Sequence, residues 1–223
     1  MTGPRGFESA VERSIFMKDT ALIVIDMQRG FISEKSSCYI KGAAATVPDC
    51  AKMIRGCREQ EIPVIFVNRL YRENGSDVEH TRLEGWLRGG KPLSPNCMDD
   101  ISTDMPEEFE PQEGDYMLIK PRFSAFFQTE LDLLLRRLGV KNIVLTGTTT
   151  PNCIRTTCYD GISLDYNVVV ISNCTSSATD EIQKANLKDM ENIGAQIMTG
   201  REFLSGKKKI KDTAGIAGKY VQG

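Results

Sequence analysis

Short apolar runs recur along the chain, separated by polar stretches with helical spacing. ALIVID (21–26), PVIFVN (63–68), DYMLIK (115–120), NIVLTG (142–147) and NVVVIS (167–172) read as strands, and AQIMTG (195–200) reads as a weaker one. Most are continuously apolar rather than alternating, the pattern of a strand covered on both faces. Between them, segments such as VPDCAKMIRGCREQ and TELDLLLRRLG repeat apolar residues at helical spacing. Strands alternating with helices predict right-handed βαβ units. The expected fold is therefore α/β: a three-layer αβα, doubly wound, Rossmann-like arrangement around a mostly parallel sheet of about six strands.

Two helices carry clear end signals. Thr129 is the expected N-cap of the first, with Asp132 at the third helical position, Gly139 as the stop, and Leu131, Leu134, Leu135 and Leu138 on one face. The second is expected from about Thr179 to Asn192, stopping at Gly194. One connection breaks the rhythm. From about Arg69 to Gly114 the chain is rich in Gly, Pro and charge and only weakly periodic, which points to a substrate loop or subunit contact. No internal repeat is visible.

Composition narrows the options. A chain of 223 residues is long enough to bury a full core, and one domain is expected over 1–223. Its core should span about 20–200, flanked by an N-terminal arm (1–19) and a C-terminal tail (201–223). With 26% charged residues and a net charge of −2, no single-sign field suggests nucleic acid or membrane, so a small-molecule partner is expected. The KKK run of the tail reads as a solvated face. The N-terminus lacks the apolar stretch of a secretory signal, and no run approaches the roughly 18–20 residues of a membrane span, so a cytoplasmic location is expected. Seven cysteines without a C-x-x-C pair argue for reduced thiols rather than a disulfide framework or zinc site.

Candidate chemistry follows from where the strands end, because open parallel sheets bind ligands beyond their C-terminal edges. Asp26 ends the first strand, Lys120 ends DYMLIK, and Cys153 follows NIVLTG after the turn TGTTTPNC. With Thr150 as N-cap and Pro151 at the first helical position, Cys153 falls at the third. There the helix dipole favours the thiolate and lowers its pKa from about 8.5, and free backbone N–H groups are available to an oxyanion. Each residue also has a plainer reading: Cys153 as a small buried apolar residue, Asp26 as a turn cap, Lys120 as a solvated strand end. The single histidine, His80, lies in a polar segment and reads as a surface residue, so a Cys–His dyad is not expected.

The segments ALIVIDMQRGF, KPRFSAFFQTELDLLLRRLGV and VLTGTTTPNCIRTTCYDGISLDYNVVVISNCTSS, in this order over roughly residues 20–200, resemble the isochorismatase-like cysteine hydrolase superfamily. The resemblance implies a catalytic triad of Asp26, Lys120 and Cys153. It also implies a cis peptide between Thr148 and Thr149, and an oxyanion hole formed by the backbone N–H groups of Thr149 and Cys153. It further implies no cofactor and assembly as a homodimer or homotetramer. The activity implied is hydrolysis of a C–N bond in a small amide, ureido or N-carbamoyl compound through a thioester.

KPRFSAFF is similar to the ureidoacrylate and N-carbamoyl amidohydrolase branch. Nicotinamidases carry a His- and Asp-rich metal motif after the second strand; here that place reads VNRLYRENGSDVE, so no metal is expected. True isochorismatases lack the nucleophilic cysteine, which disfavours that activity. Phe31, Asn68, Tyr71, Arg72, Trp86 and Phe126 are the candidate substrate contacts. Arg72 either pairs with a substrate carboxylate or holds the loop by an ion pair. Two other readings stay open: a non-catalytic binding or assembly subunit of the same fold, and a flavodoxin-like nucleotide binder, although no G-x-G-x-x-G or P-loop follows the first strand.

Overall fold

The computed structural model describes residues 19–95, 101–211 and 213. The N-terminal arm before residue 19, the end of the tail and Cys97 lie outside the described residues. Six strands form one sheet: β1 (Thr20–Ile25), β2 (Val64–Arg69), β3 (Tyr116–Lys120), β4 (Asn142–Thr148), β5 (Asn167–Ser176) and β6 (Gln196–Met198). Their spatial order is β3-β2-β1-β4-β5-β6, and every neighbouring pair is parallel. The order reverses between β1 and β4, which makes the C-terminal ends of these two strands the crevice of the sheet.

The continuous apolar runs form strands because both faces are covered. Ile23, Ile25, Ile65, Val67, Ile143, Leu145, Val168 and Val170 face one core. It is closed by α4 (Leu131–Arg137), α5 (Arg155–Ser163) and α6 (Asp180–Asn192). Leu22, Val24, Phe66, Val144, Val169 and Ile171 face the other, closed by α2 (Ala43–Glu59) and α7 (Gly200–Leu204). Each fully buried aliphatic side chain contributes about 1.5–3 kcal/mol, so these two layers supply most of the drive to fold.

Two expectations need correcting. Glu130, not Thr129, occupies the N-cap position of α4; the Thr129 hydroxyl instead accepts from the Leu131 N–H at 3.2 Å and donates to the Ala125 carbonyl. That ties the start of α4 to the loop after β3. The weakly periodic 69–114 segment contains α3 (His80–Arg88) and a short 3-10 turn at Glu107–Phe109. Only Trp86 of α3 is buried, so the helix has little apolar periodicity to read. Trp86 packs with Phe31, Tyr71, Val78 and Leu93 in a small satellite core. A four-residue α1 (Arg29–Ile32) sits between this core and β1. Helix α6 has the expected cap, with the Thr179 hydroxyl accepting from Ile182 N–H at 3.3 Å.

Candidate functional site

The turn TGTTTPNC lies at the crevice. Gly147 has φ +114°, and a Cβ there would overlap the carbonyl oxygen of Ile25 in the neighbouring strand, so the position demands glycine. The Thr148–Thr149 peptide bond is cis. The helical frame then starts one residue earlier than the spacing suggested: Thr149 is the N-cap residue, and Thr150–Ile154 form a π turn before α5. The Thr149 carbonyl accepts from Asn152 N–H at 3.1 Å and Ile154 N–H at 3.2 Å, on either side of Cys153. Pro151, lacking an N–H, loses nothing in this first turn. Thr150 does not cap; its hydroxyl donates to the Ser176 carbonyl at 3.0 Å, and the Ser176 hydroxyl donates to Thr148 Oγ1 at 2.9 Å. These bonds anchor both sides of the cis bond to the end of β5.

Two strand ends converge on Cys153. Asp26 follows β1 with φ +52°, a left-handed conformation that Asp tolerates better than most residues, and its N–H donates to Val67 O at 3.0 Å. Lys120 closes β3, with Nζ 2.7 Å from the Asp26 carboxylate and 3.5 Å from Cys153 Sγ. Neither Asp26 nor Lys120 reaches solvent, and Cys153 is 5% exposed. The ammonium also donates to the Arg122 carbonyl at 3.0 Å, which fixes its third direction.

A fourth residue joins them. Arg69, the last residue of β2, is 1% exposed and places Nη2 4.0 Å from Cys153 Sγ. Its Nη1 donates to Tyr71 Oη at 2.5 Å and to Glu79 at 2.8 Å, and Tyr71 Oη donates to the same carboxylate at 2.8 Å. Gln28 holds its backbone, accepting from Arg69 N–H at 2.8 Å and donating to Arg69 O at 2.9 Å. β2 runs one residue beyond the PVIFVN segment and so ends on Arg69. The signal was present in the alternation: Ile65, Val67 and Arg69 share one face, as do Leu118 and Lys120, and Asn68 points to the other.

The electrostatics correct one expectation. Burial is the largest influence on the Cys153 thiol and raises its pKa; the Asp26 carboxylate raises it further, and Lys120 and Arg69 pull it down without cancelling the rise. The helix-start position therefore does not leave the thiol pKa lowered: burial and the neighbouring carboxylate hold it above its ordinary value. Burial opposes the charge on Arg69, but Asp26, Cys153 and Tyr71 outweigh it and the guanidinium holds its proton more tightly than usual. Burial alone would raise Glu79, yet its own backbone N–H, Arg69 and Tyr71 hold the carboxyl below its ordinary value.

Cys153 opens into a cleft of about 200 Å³ lined by Phe31, Cys38, Ile40, Arg69, Arg82, Phe123, Thr149 and Asn152. Of the candidate contacts, Phe31 lies in this wall. Tyr71 and Trp86 line an adjoining chamber of about 290 Å³ that shares Cys38 and Arg82 with the cleft. Asn68 is buried on the opposite strand face, and Arg72 is exposed, its backbone N–H donating to Asp77. Phe126 stacks on Tyr166 with ring centres 5.8 Å apart; Phe123 is the aromatic of that loop that meets the cleft, under the guanidinium groups of Arg69 and Arg82. Among the described residues, no group of three or more His, Cys, Asp or Glu side chains is placed to hold a metal ion. No described helix is long and apolar enough to cross a membrane.

Comparison with known proteins agrees with this fold. The isochorismatase domain model matches residues 20–202. A probable inactive nicotinamidase of Arabidopsis thaliana is 39% identical over 188 residues, covering 83% of this chain and 95% of its own. A ureidoacrylate amidohydrolase of Pantoea ananatis is 35% identical over 210 residues, covering 83% and 81%. The crystal structure of an isochorismatase family protein from Desulfovibrio vulgaris superposes with a TM-score of 0.80 at 35% identity, over 85% of this chain and 98% of that one. The conserved extent of fold and sequence leaves one placement, and this chain belongs to the isochorismatase family of hydrolases.

Proposed function

We propose that this chain is a cysteine-dependent amidohydrolase that cleaves a C–N bond of a small ureido or N-carbamoyl compound. The observation that carries the reading is the buried cluster of Cys153 Sγ, Lys120 Nζ and the Asp26 carboxylate at the floor of a small cleft. Similarity to the ureidoacrylate amidohydrolase supports the substrate class.

In this reading Asp26 takes the Cys153 proton and the sulfur attacks the carbonyl carbon, so an S–C bond forms as the carbonyl π bond opens onto oxygen. Lys120 stays within reach of both partners and compensates whichever of them carries the negative charge. The oxyanion rests on the backbone N–H groups of Thr149 and Cys153, at the turn that carries the nucleophile. Asp26 returns its proton to the departing nitrogen as the C–N bond breaks. It then takes a proton from water, whose oxygen attacks the thioester, and the S–C bond breaks to release the acid and the thiol.

The test is ammonia release across a panel of ureido acids, N-carbamoyl amino acids and simple amides, with Cys153→Ala beside the unaltered protein. Turnover of at least one carbamoyl compound, abolished in the variant, is expected. Full turnover by the variant would remove Cys153 from the mechanism, and no turnover of any ureido or carbamoyl compound would remove the substrate class.

A second reading is a non-catalytic binding subunit, favoured by the relative described as a probable inactive nicotinamidase. In that case Cys153 should react with iodoacetamide no faster than the other six cysteines, and no compound of the panel should turn over.

A further inference from the structure

We infer that Arg69 is a further catalytic residue: a permanent cation that holds the sulfur of Cys153 in its anionic form once Asp26 has taken the proton. The inference rests on the hydrolytic reading above and adds to it a residue placed by the geometry of this chain.

The argument is one of charge balance in a dry site. Before proton transfer, Asp26 and Lys120 pair at 2.7 Å and Glu79 pairs with Arg69 at 2.8 Å, while the thiol is neutral. After transfer Asp26 is neutral and the sulfur carries the charge. Lys120, 3.5 Å away, is one counter-ion, but an ammonium can surrender its proton to a neighbouring thiolate, which would return the pair to a neutral amine and thiol. A guanidinium cannot do so at any ordinary pH, and Arg69 Nη2 is 4.0 Å from the same sulfur.

The structure around Arg69 suits that role. Its two terminal nitrogens are divided, Nη1 to Tyr71 and Glu79 and Nη2 to the sulfur, and Gln28 clamps the backbone from both sides. Phe123 lies against the guanidinium plane, 5.0 Å from ring centre to Cζ. The planar group is thereby held in one orientation, and no reorganisation is needed when charge arrives on sulfur. The charged and titratable groups nearest Cys153 are Asp26 after β1, Arg69 of β2 and Lys120 of β3; Cys38 and Arg82 line the cleft it opens into, and Tyr71 and Glu79 face Arg69, with Arg82 3.9 Å from Glu79. Glu79 is the counterweight: it carries a negative charge, lies 12% exposed on the far side of Arg69, and moderates the field that the guanidinium places on sulfur.

The test needs no substrate. The rate at which iodoacetamide alkylates the Cys153 peptide is followed by mass spectrometry from pH 5 to 11 in the unaltered protein, Arg69→Gln and Glu79→Gln. Arg69→Gln should raise the midpoint by about 1–3 pH units, the size of effect a neighbouring opposite charge has. Within the measured range the variant should therefore be alkylated more slowly than the unaltered protein. A merely structural loss would uncover the buried thiol and raise the rate at every pH. Glu79→Gln removes the counterweight and should move the midpoint down. Should Arg69→Gln fail to fold by circular dichroism, the direction in Glu79→Gln decides alone. An unmoved midpoint in both variants, or an upward shift in Glu79→Gln, overturns the role of Arg69. Failure of the hydrolytic reading is separate: it shows as turnover retained in Cys153→Ala, whatever the alkylation profiles give.

Discussion

Lys120 and Asp26 form an ion pair of 2.7 Å in which neither side chain is exposed at all. Removing two charges from water costs several kcal/mol each, and the attraction repays this only while both remain. Asp26→Asn or Lys120→Met alone should therefore lower stability by about 3–5 kcal/mol in urea unfolding, because each leaves one buried charge unpaired. The double variant should regain much of that stability. Ammonia release should stay absent in all three, which separates the pair's contribution to folding from its proposed contribution to catalysis.

Gly147 of β4 pairs with Ile25 of β1, with no room for a side chain between them. With φ +114° and the Ile25 carbonyl occupying the place of a Cβ, Gly147→Ala meets both an unfavourable backbone conformation and a backbone clash. The expected loss exceeds about 3 kcal/mol, measured as the shift in urea midpoint at unchanged slope. By contrast Gly139→Ala, at φ +69° with open space around it, should cost only about 1 kcal/mol.

Alkaline pH should destabilise the fold before it reaches ordinary protein tyrosines. Burial pushes the Cys57 and Cys158 thiols up to about 12, and burial likewise raises Tyr71 to about 12. A group whose pKa is higher in the folded state binds its proton more tightly there. Its stabilising effect is intact below the unfolded pKa and is lost as pH rises toward the folded one. The decline should begin near pH 9 for the thiols and near pH 10 for Tyr71, at up to about 1.4 kcal/mol per pH unit for each group. Urea midpoints from pH 8 to 11 measure this, and Cys57→Ala should flatten the slope.

Two phenylalanines of the loop after β3 should behave differently. Phe123 lines the cleft beneath Arg69 and Arg82, so Phe123→Ala should raise KM several-fold on whichever substrate the panel identifies, with a small effect on stability. Phe126 stacks on Tyr166 against the core, so Phe126→Ala should lower stability by about 2 kcal/mol and leave KM unchanged. Equal KM changes in the two would contradict the placement of the cleft wall.

The layered fold was legible because its determinants are local. ALIVID and NIVLTG are continuous apolar runs, and only a strand covered on both faces can bury them; the parallel sheet follows from the helices between. Asp26, Lys120 and Cys153 could be singled out because the ends of parallel strands meet at one edge of the sheet. The contacts from the long connection were less legible. Arg72 and Arg69 are three residues apart and chemically identical, and what distinguishes them is that β2 continues through Arg69 and carries it under Phe123. Phe123 and Phe126 likewise differ only in which side of a turn each occupies.

What the sequence by itself determined is the six strands, the longer helices that cover them, the parallel sheet and the three strand-end residues, since these depend on periodicity and on chain order. Only the tertiary structure decided the helical frame around Cys153, the direction of its pKa, and the presence of Arg69 beside it. The frame moved by one residue because Thr150 bonds to Ser176, 26 residues away in sequence, rather than to its own helix. The thiol pKa is raised rather than lowered because desolvation and a carboxylate brought from β1 outweigh the pull of Lys120 and Arg69. Each of these is a balance between groups distant in the chain, and such balances exist only once the strands have been brought side by side.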